Sequence, residues 1–183
     1  MILQIRGREA RDATAHHNLT KTALQTVLFW TTFLLLIPLV ILQLDRWSNL
    51  DRWWFDCTNA QACGAVLFML GGTLGLSSGY VMARFGRGTP WPFDCPNALV
   101  VIGPYAYVRN PMVVAGLSQG VAVGLMFGSL SIVAYSLLGA PVWHLLVRPR
   151  EESDLAERFG GAYETYRYNV RCWLPRWSPY RRI

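Results

Sequence analysis

Charge is what this sequence has least of. Only 15% of its 183 residues are Asp, Glu, Lys or Arg, where a soluble domain carries about 25%. Together with 52% hydrophobic residues, that shortage excludes a disordered chain and argues against an ordinary water-soluble globule. Lysine is nearly missing, with Lys21 alone beside 16 arginines. Cysteine is sparse as well. The four, at 57, 63, 95 and 172, include no C-x-x-C pair and no metal-ligand spacing, so no metal site is expected. Cys57 and Cys63 lie near one end of an apolar run, where free thiols are expected ahead of a disulfide. His16 and His17 fall in a polar N-terminal stretch and are expected to be solvated. There is no Walker loop, no nucleophile elbow and no H-E-x-x-H, which removes the phosphate-loop, serine-hydrolase and zinc-protease readings.

What is present is long uncharged tracts between four charged patches. Thr22 to Leu44 gives 23 residues without charge, Cys57 to Ala83 a second run, and Asn110 to Val147 a third of 38. A helix needs about 20 apolar residues to cross a bilayer. The third run is therefore long enough for two spans, with its break expected at Phe127-Gly128-Ser129-Leu130-Ser131. The expectation is one domain, an all-α polytopic membrane bundle, with spans at 22–44, 60–83, 112–128 and 131–147. No cleaved leader is expected, because the first run is too long for one and starts too late.

The net charge of +6 and pI near 9.5 raise nucleic acid as a partner, but the apolar tracts favour a membrane surface instead. Fifteen of the 17 bases flank the spans on one side, and the 45–59 loop holds the other two. The positive-inside rule then places both termini and the 84–111 loop in the cytoplasm, for a multi-pass integral membrane protein.

Within the spans, Gly71, Gly75 and Gly79 are four apart, as are Gly116, Gly120, Gly124 and Gly128. Close helix packing is the first reading of such spacing, and room for a ligand or a second subunit the other. His144 is the one histidine inside an expected span. It either bonds to a neighbouring helix or stands near a ligand, and seven residues separate it from Glu151, about two helical turns. Residues 84–111 hold five prolines, counting Pro111, and several glycines. That is too many turn formers for a helix, yet too aromatic for a free linker, so an ordered loop against the membrane face is expected. Asn110-Pro111 opens the third span. Glu151 to Phe159 reads as a short helix, and acids in its first turn suit the helix dipole without any further role. The Arg, Tyr and Trp residues beyond suit the headgroup level.

Two cytosolic segments carry a more specific pattern. G-P-Y-A-Y-V-R-N-P-M at 103–112 and E-E-S-D-L-A-E-R-F-G-G-A-Y-E-T-Y at 151–166 resemble the isoprenylcysteine carboxyl methyltransferase family, and G-T-P-W-P-F-D at 88–94 is similar to a stretch of its bacterial relatives. The resemblance covers residues 84 to 177. It implies S-adenosylmethionine as methyl donor, bound through 84–111 and 148–177, with S-adenosylhomocysteine as product. By the same resemblance Asn97, Leu99, Val100, Tyr105, Arg109, Asn110, Pro111 and Met112 line the cofactor, Glu151 and Glu152 form the essential acidic pair, and Arg148 lies near a substrate-contacting position. Departures from the family pattern are Val113 and Ala115 where a Tyr and a Gly are usual, and Val170-Arg171-Cys172 where V-P-R is usual.

The chemistry agrees. A carboxylate such as Glu151 can pair with the cofactor's ammonium, Arg109 can hold its carboxylate, and Leu99, Val100 and Tyr105 can wall its adenine. Methyl transfer needs positioning and exclusion of water more than a dedicated base. The expected function is methyl transfer from S-adenosylmethionine to a lipidic or amphipathic acceptor, with Arg109, Glu151 and Glu152 as catalytic groups and Arg148 and His144 facing the substrate. The alternatives are an NADPH-dependent membrane reductase of related fold and a non-enzymatic membrane scaffold.

Overall fold

A computed structural model of the chain describes residues 8–9, 15–51, 54–86 and 94–181. All but the last residue of the G-T-P-W-P-F-D stretch falls outside the described residues. Apart from a parallel pairing of two dipeptides, β1 (Arg8–Glu9) with β2 (Asp94–Cys95), the regular structure described is helical. Helix α1 (Ala15–Trp30) passes through a π-helical turn, Thr31–Leu36, into α2 (Ile37–Trp47). Pro38 explains the wide turn, since it has no N–H for the carbonyl four residues back. His16 and His17, expected in a tail, lie instead in the first turn of α1.

Helix α3 (Thr58–Val81) also ends in a π turn, Met82–Gly86, and α4 (Pro111–Phe127) follows the long loop. Gly128, with φ +64°, then turns the chain, and Ser129 caps α5 (Leu130–Val142) by accepting from Ile132 N at 3.3 Å. This is the break expected from the sequence. After α5 the helix does not stop. It runs through a third π turn, Trp143–Val147, into α6 (Arg148–Phe159), and α7 (Gly161–Asn169) follows.

The short helix expected to begin at Glu151 is thus the last part of a longer one. Pro149 does not end it because the π turn just upstream holds Leu145, whose carbonyl Pro149 has no N–H to meet, as the first π turn does for Pro38. Leu130–Phe159, Leu19–Trp47 and Thr58–Gly86 are each long and apolar enough to cross a membrane, and α4 is a shorter apolar helix of 17 residues. The chain is a helical membrane bundle. Only 11–22% of each span's most apolar window is buried within the protein, so most of its apolar surface is left for lipid. Leu130–Phe159 has 30 residues, about 45 Å of helix against a hydrocarbon core of about 30 Å. Its charged end, from Arg148 onward, projects beyond that core.

Glycine sets the helix spacing. A Cβ on Gly71 would meet Gln119 Cγ at 2.8 Å, and one on Gly124 would meet the backbone N of Val133 at 2.8 Å. The stripes therefore close α3 on α4 and α4 on α5, and these faces are filled inside the bundle. At the short-loop end, buried Asp45 accepts from Trp54 Nε1 (3.0 Å) and Ser129 Oγ (3.2 Å), while Phe55 N donates to Gly128 O (2.9 Å). Those bonds tie both short connections together. Cys57 and Cys63 are exposed free thiols. The opposite end gathers the long loop, the end of Leu130–Phe159 and the C-terminal segment, and there the polar chemistry collects.

Candidate functional site

The loop before α4 makes its own local structure first. Gly103 has φ +59°, which opens a single 3-10 turn, Gly103–Ala106. The C-terminal segment then straps this turn down. Arg109 N donates to Arg171 O (3.0 Å), Arg176 N to Tyr107 O (2.9 Å) and Tyr180 N to Ala106 O (2.9 Å). Beneath the strap, Val101, Tyr163, Tyr166 and Val170 form a buried cluster that Leu99 and Phe159 join. The Tyr166 hydroxyl, buried, donates to Tyr105 O at 2.7 Å. These contacts fix Arg109 and Asn110 at the mouth of α4. Asn110 caps that helix by accepting from Val113 N at 3.3 Å, and Pro111 is buried behind it.

Across from this loop stands the projecting end of α6. Glu152 Oε1 accepts from Arg109 Nη1 and Arg148 Nε, both at 2.7 Å, and Arg167 Nε lies 3.6 Å from Oε2. The side chains of Arg109 and Glu152 are only 10% and 14% exposed. Arg148 Nη1 also lies 3.0 Å from His144 Nε2, and Trp173 Nε1 donates to His144 Nδ1 at 3.0 Å. Residues 144, 148 and 152 are spaced by four and form one ridge. The carboxylate on the face of His144 is therefore Glu152, not Glu151 as the sequence spacing suggested. Glu151 turns the other way, toward Asn110 Nδ2 at 3.4 Å. Because the helix continues upstream, no free helix end faces the pair, and the dipole does not account for it.

The two neighbouring carboxylates are electrostatically unlike. Burial alone would raise Glu152, but the hydrogen bond from Arg148 and the charges of Arg109, Arg148 and Arg167 outweigh it and hold its pKa below the usual range. Burial, with added repulsion from Glu152 and Asp154, lifts Glu151 to about 7. Burial and Glu152 likewise push Tyr163 up to about 12. Arg109 spends Nη1 on Glu152, with the Tyr163 hydroxyl at 3.4 Å, while its Nε is buried without a partner.

A profile of the phospholipid methyltransferase family matches residues 59–162, more than half of the 183. The chain belongs to this family. Membership makes it a membrane methyltransferase of the kind that acts on lipid-type substrates. The phospholipid methyltransferase match holds α3, the loop, α4, α5 and both glutamates, and it stops one residue before Tyr163. Comparison with curated proteins and with solved structures gives no match.

Among the expected site residues, the structure links Arg109, Glu152, Arg148 and His144 in one chain of contacts, with the Asn110–Glu151 bond as a separate pair beside it. Met112, in the first turn of α4, lies beside Gly79. Leu99 packs into the cluster under the strap, Val100 is buried against Gly86, and Asn97 donates its backbone N–H to Gly86 O at 2.8 Å. Sequence reasoning missed Tyr163, Arg167 and Trp173. The first was inside the quoted motif; the other two are linked to the site only through space. An open groove of about 480 Å³ runs along His144, Leu145, Arg148, Glu152 and Arg167. An apolar recess of about 360 Å³ lies under Tyr107, Trp173 and Pro175.

Two outcomes follow for the carboxylates. Glu152→Gln leaves Arg109 and Arg148 without a counter-charge and should cost about 3–5 kcal/mol in chemical unfolding of the detergent-solubilised protein. Glu151→Gln should be tolerated, with a signature in pH. Between about pH 4.5 and the value of about 7 the folded chain keeps a proton on Glu151 that the unfolded chain has released, so stability falls as pH rises. The thermal midpoint of Glu151→Gln relative to the parent should rise from about pH 5 to about pH 8; a constant difference would show that Glu151 ionises normally.

Proposed function

We propose that the protein moves a methyl group from S-adenosylmethionine to a lipid acceptor at the cytoplasmic face of the membrane, as a single membrane methyltransferase domain with both termini on that side. The observation that carries the reading is the division of labour between the two glutamates. Glu152 meets three guanidiniums, whereas Glu151, among the described residues, has an amide and no ion pair.

The residues fit the donor. Arg109 Nε, buried and unpartnered, can take its carboxylate, and Glu151 can take its ammonium or a ribose hydroxyl. Val100, Tyr105, Pro111 and Met112 offer apolar wall beside them, and Asn97 and Asn110 polar edges. Bound there, S-adenosylmethionine supplies an electrophilic methyl on a positively charged sulfur. The chain's own part is to hold, orient and keep water away. Burial under the strap and the fixed cage around Glu152 serve that part.

The acceptor side is the groove along His144 and Arg148, where the fourth span leaves the hydrocarbon. A neutral imidazole has one acceptor nitrogen, yet both ring nitrogens of His144 face donors, Trp173 Nε1 and Arg148 Nη1. With Nδ1 accepting from Trp173, the Nε2–H points toward a guanidinium and suits an oxyanion on the substrate better. The polar donor reaches the site from the cytoplasm, and the lipid approaches sideways along Leu145, which is 68% exposed.

Calorimetry on the detergent-purified protein tests the reading. S-adenosylmethionine and S-adenosylhomocysteine should bind and NADPH should not. Arg109→Ala and Glu151→Gln should each weaken binding about tenfold or more, the scale of a charge-assisted contact. Heat on adding NADPH alone would favour a reductase, and silence with all three a scaffold.

A further inference from the structure

From Thr165 to Ile183 the chain holds five arginines and no Asp or Glu. Two of the five have partners. Arg167 lies 3.6 Å from Glu152 and 3.7 Å from Glu164, and Arg176 donates to Asn169 O and Ser178 O. Arg171 and Arg181 are exposed, and among the described residues no carboxylate pairs with either. The same stretch also exposes apolar side chains. Trp177 is fully open, Tyr168 is 92% exposed and Leu174 60%. Their neighbours turn inward: Val170 and Cys172 are buried, and Tyr180 packs on the buried cluster. The strap is therefore two-sided, with an inner side that fastens the loop before α4 and an outer side of arginine, aromatic and leucine groups.

Its height against the spans decides what the outer side meets. The apolar recess behind Trp173 and Pro175 is lined by Leu74 of α3 and Val114 of α4. Asp56, exposed and charged, lies just before α3, and Leu74 is about 24 Å along that helix from Thr58, within a hydrocarbon core of about 30 Å. The strap thus runs where the spans leave the hydrocarbon. Exposed Trp, Tyr and Leu beside arginines suit the boundary between headgroups and acyl chains. Charge of one sign favours anionic lipid over zwitterionic lipid. An acidic soluble protein matches that charge but does not reach a leucine at the edge of the hydrocarbon.

The inner side reaches the site. Arg171 O accepts from Arg109 N, and the backbone N–H groups of Arg176 and Tyr180 hold Tyr107 and Ala106. Whatever fastens the outer side therefore steadies the loop that presents Arg109 to Glu152. We propose that residues 168–181 dock on an anionic lipid surface, with Trp177 and Leu174 at the acyl boundary and Arg171 and Arg181 on lipid phosphates, and that this docking holds the Arg109 loop in place. The docking does not depend on the methyltransferase reading; its effect on S-adenosylhomocysteine affinity does.

The test places the full chain in nanodiscs of phosphatidylcholine, with and without phosphatidylglycerol. Amide hydrogen exchange is read over 106–109 and 171–180, with α3 as reference and S-adenosylhomocysteine calorimetry alongside. Phosphatidylglycerol should slow exchange in the two segments about tenfold, the scale of one to two arginines at an anionic surface, and leave α3 unchanged. High salt should remove the difference. So should Arg171→Gln combined with Arg181→Gln, which should match the parent in neutral discs. Trp177→Ser, which keeps the charges, should shrink the slowing and replaces the arginine pair if that fails to fold. Equal exchange in both lipids overturns the docking. Slowing that survives salt and the arginine changes also overturns it, because a lipid held in the acceptor groove would act without Arg171 and Arg181. S-adenosylhomocysteine should bind more tightly, by a similar factor, where exchange is slow. Slow exchange with unchanged affinity overturns the hold on the site. Slow exchange with no S-adenosylhomocysteine binding in either lipid keeps the docking and removes the methyltransferase reading.

Discussion

The carboxylate of Glu152 is the point on which the charged end of the bundle turns. It receives Arg109 from the loop before α4, Arg148 from its own helix and, at longer range, Arg167 from α7. Three elements, the loop, α6 and α7, thus meet at one half-buried anion. A buried ion pair adds little net stability over an apolar contact of the same shape, but it fixes geometry, because loss of either partner strands a charge. Fixed geometry is what a transfer reaction needs from a protein. The same cage takes up the nearby guanidiniums, and among the described residues Glu151 has an amide partner and no ion pair.

That arrangement depends on helices that outrun the bilayer. Because α5 continues into α6 without a stop, His144, Arg148 and Glu152 share one ridge along the charged end of an apolar helix. The glycines contribute by letting α3, α4 and α5 approach closely in a solvent that gives no hydrophobic drive between helices. At the other end, Asp45, Trp54 and Ser129 close the short connections with a compact polar knot. The two ends divide the work, one holding the bundle and the other carrying the chemistry.

Much of this was legible in the sequence. The uncharged runs marked the spans, and Gly128 and Ser129 marked the break, because each is a local property of composition or turn chemistry. The R-N-P and E-E segments stood out only through their resemblance to a family, since acids early in a helix have an ordinary explanation of their own. The length of the last helix was not legible, since a proline reads as a stop unless the π turn that accommodates it is known. Which glutamate would meet His144 was also hidden: seven residues is two turns on paper, but the ridge actually steps by four, from 144 through 148 to 152. The bonds from Trp173 to His144 and from Trp54 and Ser129 to Asp45 join distant parts of the chain. No local pattern announces such contacts.

The most direct measurement is methyl transfer itself. Purified protein in lipid vesicles is given S-adenosylmethionine labelled in the methyl group, and label is counted in the organic extract. The account predicts time-dependent label in lipid that Arg109→Ala strongly reduces and that S-adenosylhomocysteine suppresses. Label that stays in the aqueous phase across vesicles of amine-, hydroxyl- and carboxylate-bearing lipids would contradict it.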